Sequence, residues 1–258
     1  MFNYNVADMT DIKEKEIALF EIWKQYVRAK RKEENLKYLK FCEDGIVNPD
    51  IWDKQTIKIV LLLKDINDKY DNFDESKTLT QWLASESFIK RRIATWGNVG
   101  KWIYGLMHID ENPSWEKARY ACGNYKGRFK QIQKICVVNL KKQPGKTTCP
   151  SQTLTKYFHK YNKEFFVKQM QLYVMPDYII CGGKDVEKLF CNEQILKSCF
   201  GDNCKIKDGS FSGVNYWVIN NKTVVIGFHH PQPYNGKLFK EYYEKLTAVA
   251  DYIRKNVL

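Results

Sequence analysis

The 258-residue chain lacks any apolar run approaching the ~20 residues that a membrane-spanning helix needs. Its opening, "MFNYNVADMTDIKEKE", has no basic stretch followed by an apolar one, so no secretory leader is expected. A cytoplasmic location with no membrane partner is the expectation, and no obligate protein partner is implied. None of the eight cysteines forms a C-x-x-C pair. Cys191, Cys199 and Cys204 have no fourth ligand at metal-site spacing, so neither metal nor cofactor is expected. Free thiols fit a reducing compartment, and Cys136 and Cys181 sit inside apolar runs as small core residues. "GGKD" at 182–185 lacks the full P-loop spacing; a tight turn into a helix accounts for it. Ser151 and Cys149 carry no local nucleophile signature. There is no internal repeat, low-complexity segment or linker.

Acid is also short: 42 Lys and Arg face 30 Asp and Glu, a formal charge of +12. That excess fits a polyanionic partner, most simply nucleic acid; Lys-rich solvated helices fit it too. Disorder is excluded by a composition that is 44% hydrophobic and includes 16 Tyr, 14 Phe and 7 Trp.

Continuous apolar runs, as in strands covered on both faces, occur in "TIKIVLLLKD" (56–65), "KICVVNLKK" (134–142) and "PDYIICGGKD" (176–185). "VNYWVINNKTVVIGF" reads as a hairpin turning at Asn220 and Asn221, its second arm a fourth buried strand. Helical periodicity appears at 11–34, where Leu19, Trp23, Tyr26 and Val27 share a face, in pieces over 76–108, at 125–133, before Pro176, and at 237–257. This alternation predicts one α/β domain over 1–258, a three-layer α/β/α sandwich around a mostly parallel sheet of four to five strands. Within it, 1–50 reads as a helical extension, 56–240 as the core and 237–257 as the closing helix.

Histidine is scarce, and two of the four stand together in "VVIGFHHPQPYNG", 224–236. The four apolar strands end at Lys64 and Asp65, at Asn139, at Gly182 and Gly183, and at His229 and His230. Open parallel sheets bind ligands at the carboxyl ends of their strands, so an acid, an amide and an imidazole are expected to share one crevice. Singly, each has a plain structural explanation: Asp65 as a cap, Asn139 as a strand end, His230 bonded to a carbonyl.

"HPQPYN" at 230–235 resembles the H-P-S-P-L-S motif of the uracil-DNA glycosylase superfamily. "VLLLKDIND" at 60–68 resembles its apolar strand running into G-Q-D-P-Y-H, "CVVNLKK" its base-reading strand, and "YIICGGKDVEKLF" the strand and helix that follow. Order and approximate spacing agree over 56–240. The resemblance implies a uracil-DNA glycosylase-like fold and cleavage of the N-glycosidic bond of uracil, or a related base, in single- or double-stranded DNA. It places Asp65 at the acid, Asn139 at the amide reading the base, and His230 facing the departing base. Lys64 stands where the best-known members have Gln, and Ile66 where they have Pro. Asn67 replaces a Tyr that screens out a 5-methyl group, and Asp68 a His. Gln232 replaces a Ser that grips the DNA backbone, and Tyr234 stands near a wedging Leu. These changes bear on the substrate more than on the fold.

The chemistry suits the residues. A carboxylate stabilises the oxocarbenium-like sugar and orients water; an N–H donor stabilises the leaving base, worth about 3 kcal/mol of barrier. An amide matches the acceptor-and-donor edge of uracil and mismatches cytosine. Lys64 and Asn67 would line the base pocket, and Tyr70 or Phe73 would stack on the flipped base. Lys141, Lys142 and Lys146, with Gln232, Tyr234 and Asn235, would hold the DNA backbone; Lys90, Arg91 and Arg92 form a second basic cluster that equally suits a solvated surface. Two alternatives stay open: a nucleic-acid or nucleotide-binding module without catalysis, and a hydrolase of free nucleosides.

Overall fold

A computed structural model describes residues 11–36, 40–67, 78–91, 93–145, 148–232 and 238–258. Its centre is a seven-stranded mixed sheet. The strands are β1 (Gly45–Ile46), β2 (Ile59–Leu63), β3 (Cys136–Asn139), β4 (Tyr178–Gly182), β5 (Ile206–Phe211), β6 (Val214–Ile219) and β7 (Thr223–Phe228). They lie in the order β1-β3-β2-β4-β7-β6-β5. The four central strands are parallel and fully buried, as their unbroken apolar runs require.

The sheet is larger than the expected four to five strands, because antiparallel strands flank the parallel core. β1 is only two residues long, too short for periodicity to reveal. β5, "IKDGSF", is a solvated edge strand with no apolar run. The β6–β7 hairpin turns as expected at Asn220 and Asn221, at φ 54° and 53°, a left-handed pair that Asn tolerates.

Twelve α-helices flank the sheet among the described residues. Side chains alternate along each strand, so Ile59, Leu61 and Leu63 face one core while Val60 and Leu62 face another. The first core is closed by α3 (Leu79–Leu83), α4 (Glu86–Arg91), α5 (Ile93–Met107), α6 (Trp115–Cys122), α7 (Tyr125–Ile132) and α12 (Leu238–Asn256). The second is closed by α1 (Ile12–Glu33), α2 (Pro49–Trp52), α8 (Ser151–Tyr157), α9 (Lys163–Leu172), α10 (Lys184–Phe190) and α11 (Glu193–Phe200), with a π-helical turn at Phe158–Asn162. Asp11 caps α1, its side chain accepting from the Lys13 N–H. Trp23 of α1 is wholly buried and β1 pairs with β3, so the described residues before 50 pack into the fold, mostly in the second core. No helix is long and apolar enough to cross a membrane among the described residues.

Candidate functional site

The chain enters the parallel sheet at β2, moves to β3 on one side, then crosses to β4 and β7 on the other. The order therefore reverses between β2 and β4, the position at which open α/β sheets offer a ligand crevice because two connections leave in opposite directions. All four central strands point their carboxyl ends at this edge. Leu63 stands opposite Asn139, and Gly182 opposite Phe228, so Lys64, Asp65, Asn139, Gly183 and His230 emerge along one edge.

Gly182 is packed too closely for a larger residue: a β-carbon would lie 2.8 Å from the Leu63 side chain and 3.4 Å from Pro231. Gly183 turns the chain into α10 at φ 121°, a conformation that only glycine adopts without strain.

Asp65 is held by Lys141, whose ammonium lies 2.7 Å from its Oδ2 and also reaches the Gln143 carbonyl. Both side chains are nearly enclosed, with relative exposures of 4% for Lys141 and 9% for Asp65. The loop after β3 runs beside the loop after β2, through Lys141 N–H to Lys64 O at 2.9 Å and Gly145 N–H to Ile66 O at 2.8 Å. A β-carbon at Gly145 would collide with the Asp65 carboxylate. The Cys149 thiol, pushed up to about 11 by burial and then by the Asp65 charge, is a poor nucleophile beside it.

Asn139 is 2% exposed, and neither its Nδ2 nor its Oδ1 has a hydrogen-bond partner among the described residues. Its backbone, by contrast, is clamped. Its N–H donates to Asp44 Oδ2 at 2.7 Å and its carbonyl accepts from Lys142 Nζ at 3.0 Å. Asp44 and Lys142 form an ion pair with no side-chain exposure, and Gln169 also donates to Asp44. Burial pulls the Lys142 ammonium below its ordinary value while Asp44 opposes that shift. The main chain of Asn139 is thus fixed and its amide left empty. An unsatisfied buried amide costs about 1–3 kcal/mol, which makes this group a candidate to meet the polar atoms of a ligand.

His230 is solvent-accessible, yet its ring sits in a protein-crowded recess that holds its pKa below 6.5, with Lys64 adding to the depression and Asp65 opposing it. Its Nδ1 accepts the Gln232 N–H at 3.2 Å, so the neutral ring carries its proton on Nε2. Asn98 of α5 anchors the loop by donating to the Pro231 carbonyl at 2.7 Å. His229 has another part: it stacks on Tyr242 of α12 with centroids 4.2 Å apart.

Lys141 and Lys142 require correction. Both were expected on the DNA backbone, and both are buried in carboxylate pairs, Lys141 with Asp65 and Lys142 with Asp44. Lysines that follow a strand read as exposed, but here the β3 loop turns inward. Lys64 is half-buried and pairs with Asp185, which also accepts from Ser151 at 2.7 Å. Asn67 is exposed in an isolated bridge with Gly145. Gln232 is exposed, its side chain 3.4 Å from Thr95 Oγ1. Tyr70, Phe73, Lys146, Tyr234 and Asn235 lie outside the described residues, as does Arg92.

The ion pairs at Asp65 and at Asn139 were missed because their partners are distant in sequence: Asp44 and Lys142 are 98 residues apart. The chain matches no protein-family model and no curated protein.

Proposed function

We propose that the chain is a DNA glycosylase, a divergent enzyme of the uracil-removing type, cleaving the N-glycosidic bond of uracil or a related altered base. The observation that carries this reading is the empty, buried amide of Asn139 at the switch-point crevice. A group that offers one donor and one acceptor, on a clamped backbone, suits the edge of a uracil-like base. His230, neutral and with its free proton on Nε2, suits donation to a base oxygen as negative charge develops. Asp65, in contact with the Lys141 ammonium, suits stabilisation of the cationic sugar.

The same Lys141 contact favours a second reading. A carboxylate already engaged by a cation is less able to activate water, and a module that holds an extruded base without cleaving it would tolerate that. The two readings separate on a labelled uracil-containing oligonucleotide treated with hot alkali after incubation. Catalysis gives strand breaks that fall by about 10²–10³ in His230→Ala, the loss typical of one oxyanion donor. They should also fall sharply in Asp65→Asn. The rate should drop as pH falls through the range below 6.5 in which the imidazole takes up a proton, because protonation removes its neutral working form. Binding without an abasic product at any pH, across uracil, hypoxanthine, xanthine and 5-substituted uracils, would leave the module.

A further inference from the structure

The net charge is unevenly spread. "WEKARYACGNYKGRFKQIQK", residues 115–134, holds six basic residues and one acid, so this stretch carries +5 of the total +12. It folds as α6 and α7, joined through Gly123 and Asn124, whose side chain caps α7 by accepting the Gly127 N–H at 2.8 Å.

Its cations contrast with the two buried lysines that follow β3. Lys141 and Lys142, when buried, have carboxylate partners; Lys117, Arg119, Lys126, Arg128, Lys130 and Lys134 form no ion pair among the described residues. Lys126 and Lys130 stand one helical turn apart on exposed positions, a like-charged arrangement that weakens the helix. Arg128 is 6% exposed, packs its backbone on Gly100 of α5, and among the described residues leaves Nε without a partner while its Nη1 donates to the Gly123 carbonyl. Lys101 lies close enough to Arg128 to be held below its ordinary value by burial and by that charge, despite an opposing effect of Cys122. A cluster of cations with no ion pair among the described residues, one of them buried with an open donor, suits an anion from outside.

We infer that the α6–α7 hairpin is a binding surface for the phosphate backbone of nucleic acid flanking the candidate site. Its place in the fold supports this. Asn98 holds the His230 loop, and Gly100, within the same turn of α5 but on another face of it, packs against Arg128, so α7 lies beside α5 at the level where α5 meets that loop. Lys90 at the end of α4 lies over the Tyr125 ring at 5.5 Å, extending the basic edge. The exposed side chains include Lys117, Arg119, Lys126 and Lys130, one acid, Glu116, and one aromatic, Tyr120, at 90% exposure. That composition gives phosphate contacts and a stacking ring; it lacks the several apolar side chains by which a helix enters a lipid surface. The inference rests on the proposed reading of the site for the neighbouring base pocket, and replaces Lys141 and Lys142 as the source of backbone contacts.

The test is binding of fluorescein-labelled single-stranded and duplex oligonucleotides by the full chain between 50 and 200 mM salt, read by anisotropy. In R119Q/K126Q/K130Q the slope of log affinity against log salt should fall by about 2.7 on duplex and about 2 on single strands, from roughly 0.9 and 0.7 per phosphate contact. K13Q/K207Q/K222Q removes the same charge from other exposed positions and should keep the wild-type slope, with thermal unfolding confirming that both variants fold. N139A should lose base cleavage and keep the slope, so failure of the glycosylase reading and failure of the hairpin are separate results. Equal slopes in the two triple variants, no wild-type binding at 50 mM salt, or tighter binding to anionic phospholipid vesicles than to oligonucleotide would each overturn the inference.

Discussion

Asn139 is the residue whose sequence reading and structural setting most nearly coincide, and the setting adds what the sequence lacked. A strand-end Asn can satisfy its own backbone, and that ordinary explanation fails here. The backbone is held by Asp44 and Lys142, and the amide by nothing. On the proposed reading, such a residue trades stability for function. Asn139→Leu, with the same branched skeleton, removes the unsatisfied polar atoms and should raise unfolding stability by about 1–2 kcal/mol while abolishing base recognition. Chemical denaturation checks the first, the oligonucleotide assay the second. A loss of stability would mean that the amide is a structural group. Asp65 and His230 were readable from their strand ends; that Lys141 binds the acid was not, because nothing in "NLKKQPGK" distinguishes a lysine turned inward from one in water.

At the scale of elements, the strands and helices with apolar periodicity were legible, and those defined by their neighbours were not. β2, β3, β4 and β7 announce themselves as unbroken apolar runs, since both faces are covered. β1 exists because β3 offers an open edge and because α1 supplies a carboxylate to it. Glu16 accepts the Ile46 N–H at 3.2 Å and the Tyr173 hydroxyl at 2.6 Å, and Gly45 beside it adopts φ 119° where a side chain would strike that carboxyl. Burial, followed by the nearby Asp44 charge, lifts Glu16 from 4.5 to about 8, against the lowering effect of its hydrogen bonds and of Lys142. The folded state therefore binds a proton that the unfolded chain releases, between pH 4.5 and about 8. Across that window the stabilisation from this site is full at the acid end and declines as pH rises, by up to about 1.4 kcal/mol per unit. Glu16→Gln keeps an acceptor for both donors and removes the titration. Denaturation midpoints measured from pH 5 to 8 should fall less steeply in the variant, which should be the more stable protein at the upper end. Parallel curves would show that Glu16 titrates normally.

For the molecule as a whole, the question is whether the first helix is an appendage to a catalytic core or part of one cooperative unit. The sequence suggested an extension, because the resemblance begins only at residue 56. The contacts argue for a single unit. Trp23 is fully buried, donates to the Tyr161 carbonyl at 3.0 Å, stacks with Phe165 at 5.4 Å, and lies 5.0 Å from the Lys142 ammonium. Lys142 in turn bonds Asp44 and the Asn139 carbonyl. The chain of contacts runs from α1, through a buried cation, to the amide at the crevice. Trp23→Ala should cost about 3–5 kcal/mol, since it empties a packed site and strips the aromatic partner from a desolvated charge. If the domain is one unit, that cost appears as a single transition moved to lower denaturant, and native-state hydrogen exchange accelerates together at the amides of Asn139 and Ile180, on strands two apart in the sheet. If α1 is an appendage, the main transition stays in place and Ile180 keeps its protection. The first outcome would make the positioning of Asn139 a property of the entire fold, with the helix before the sheet as necessary to the site as the strands that end in it.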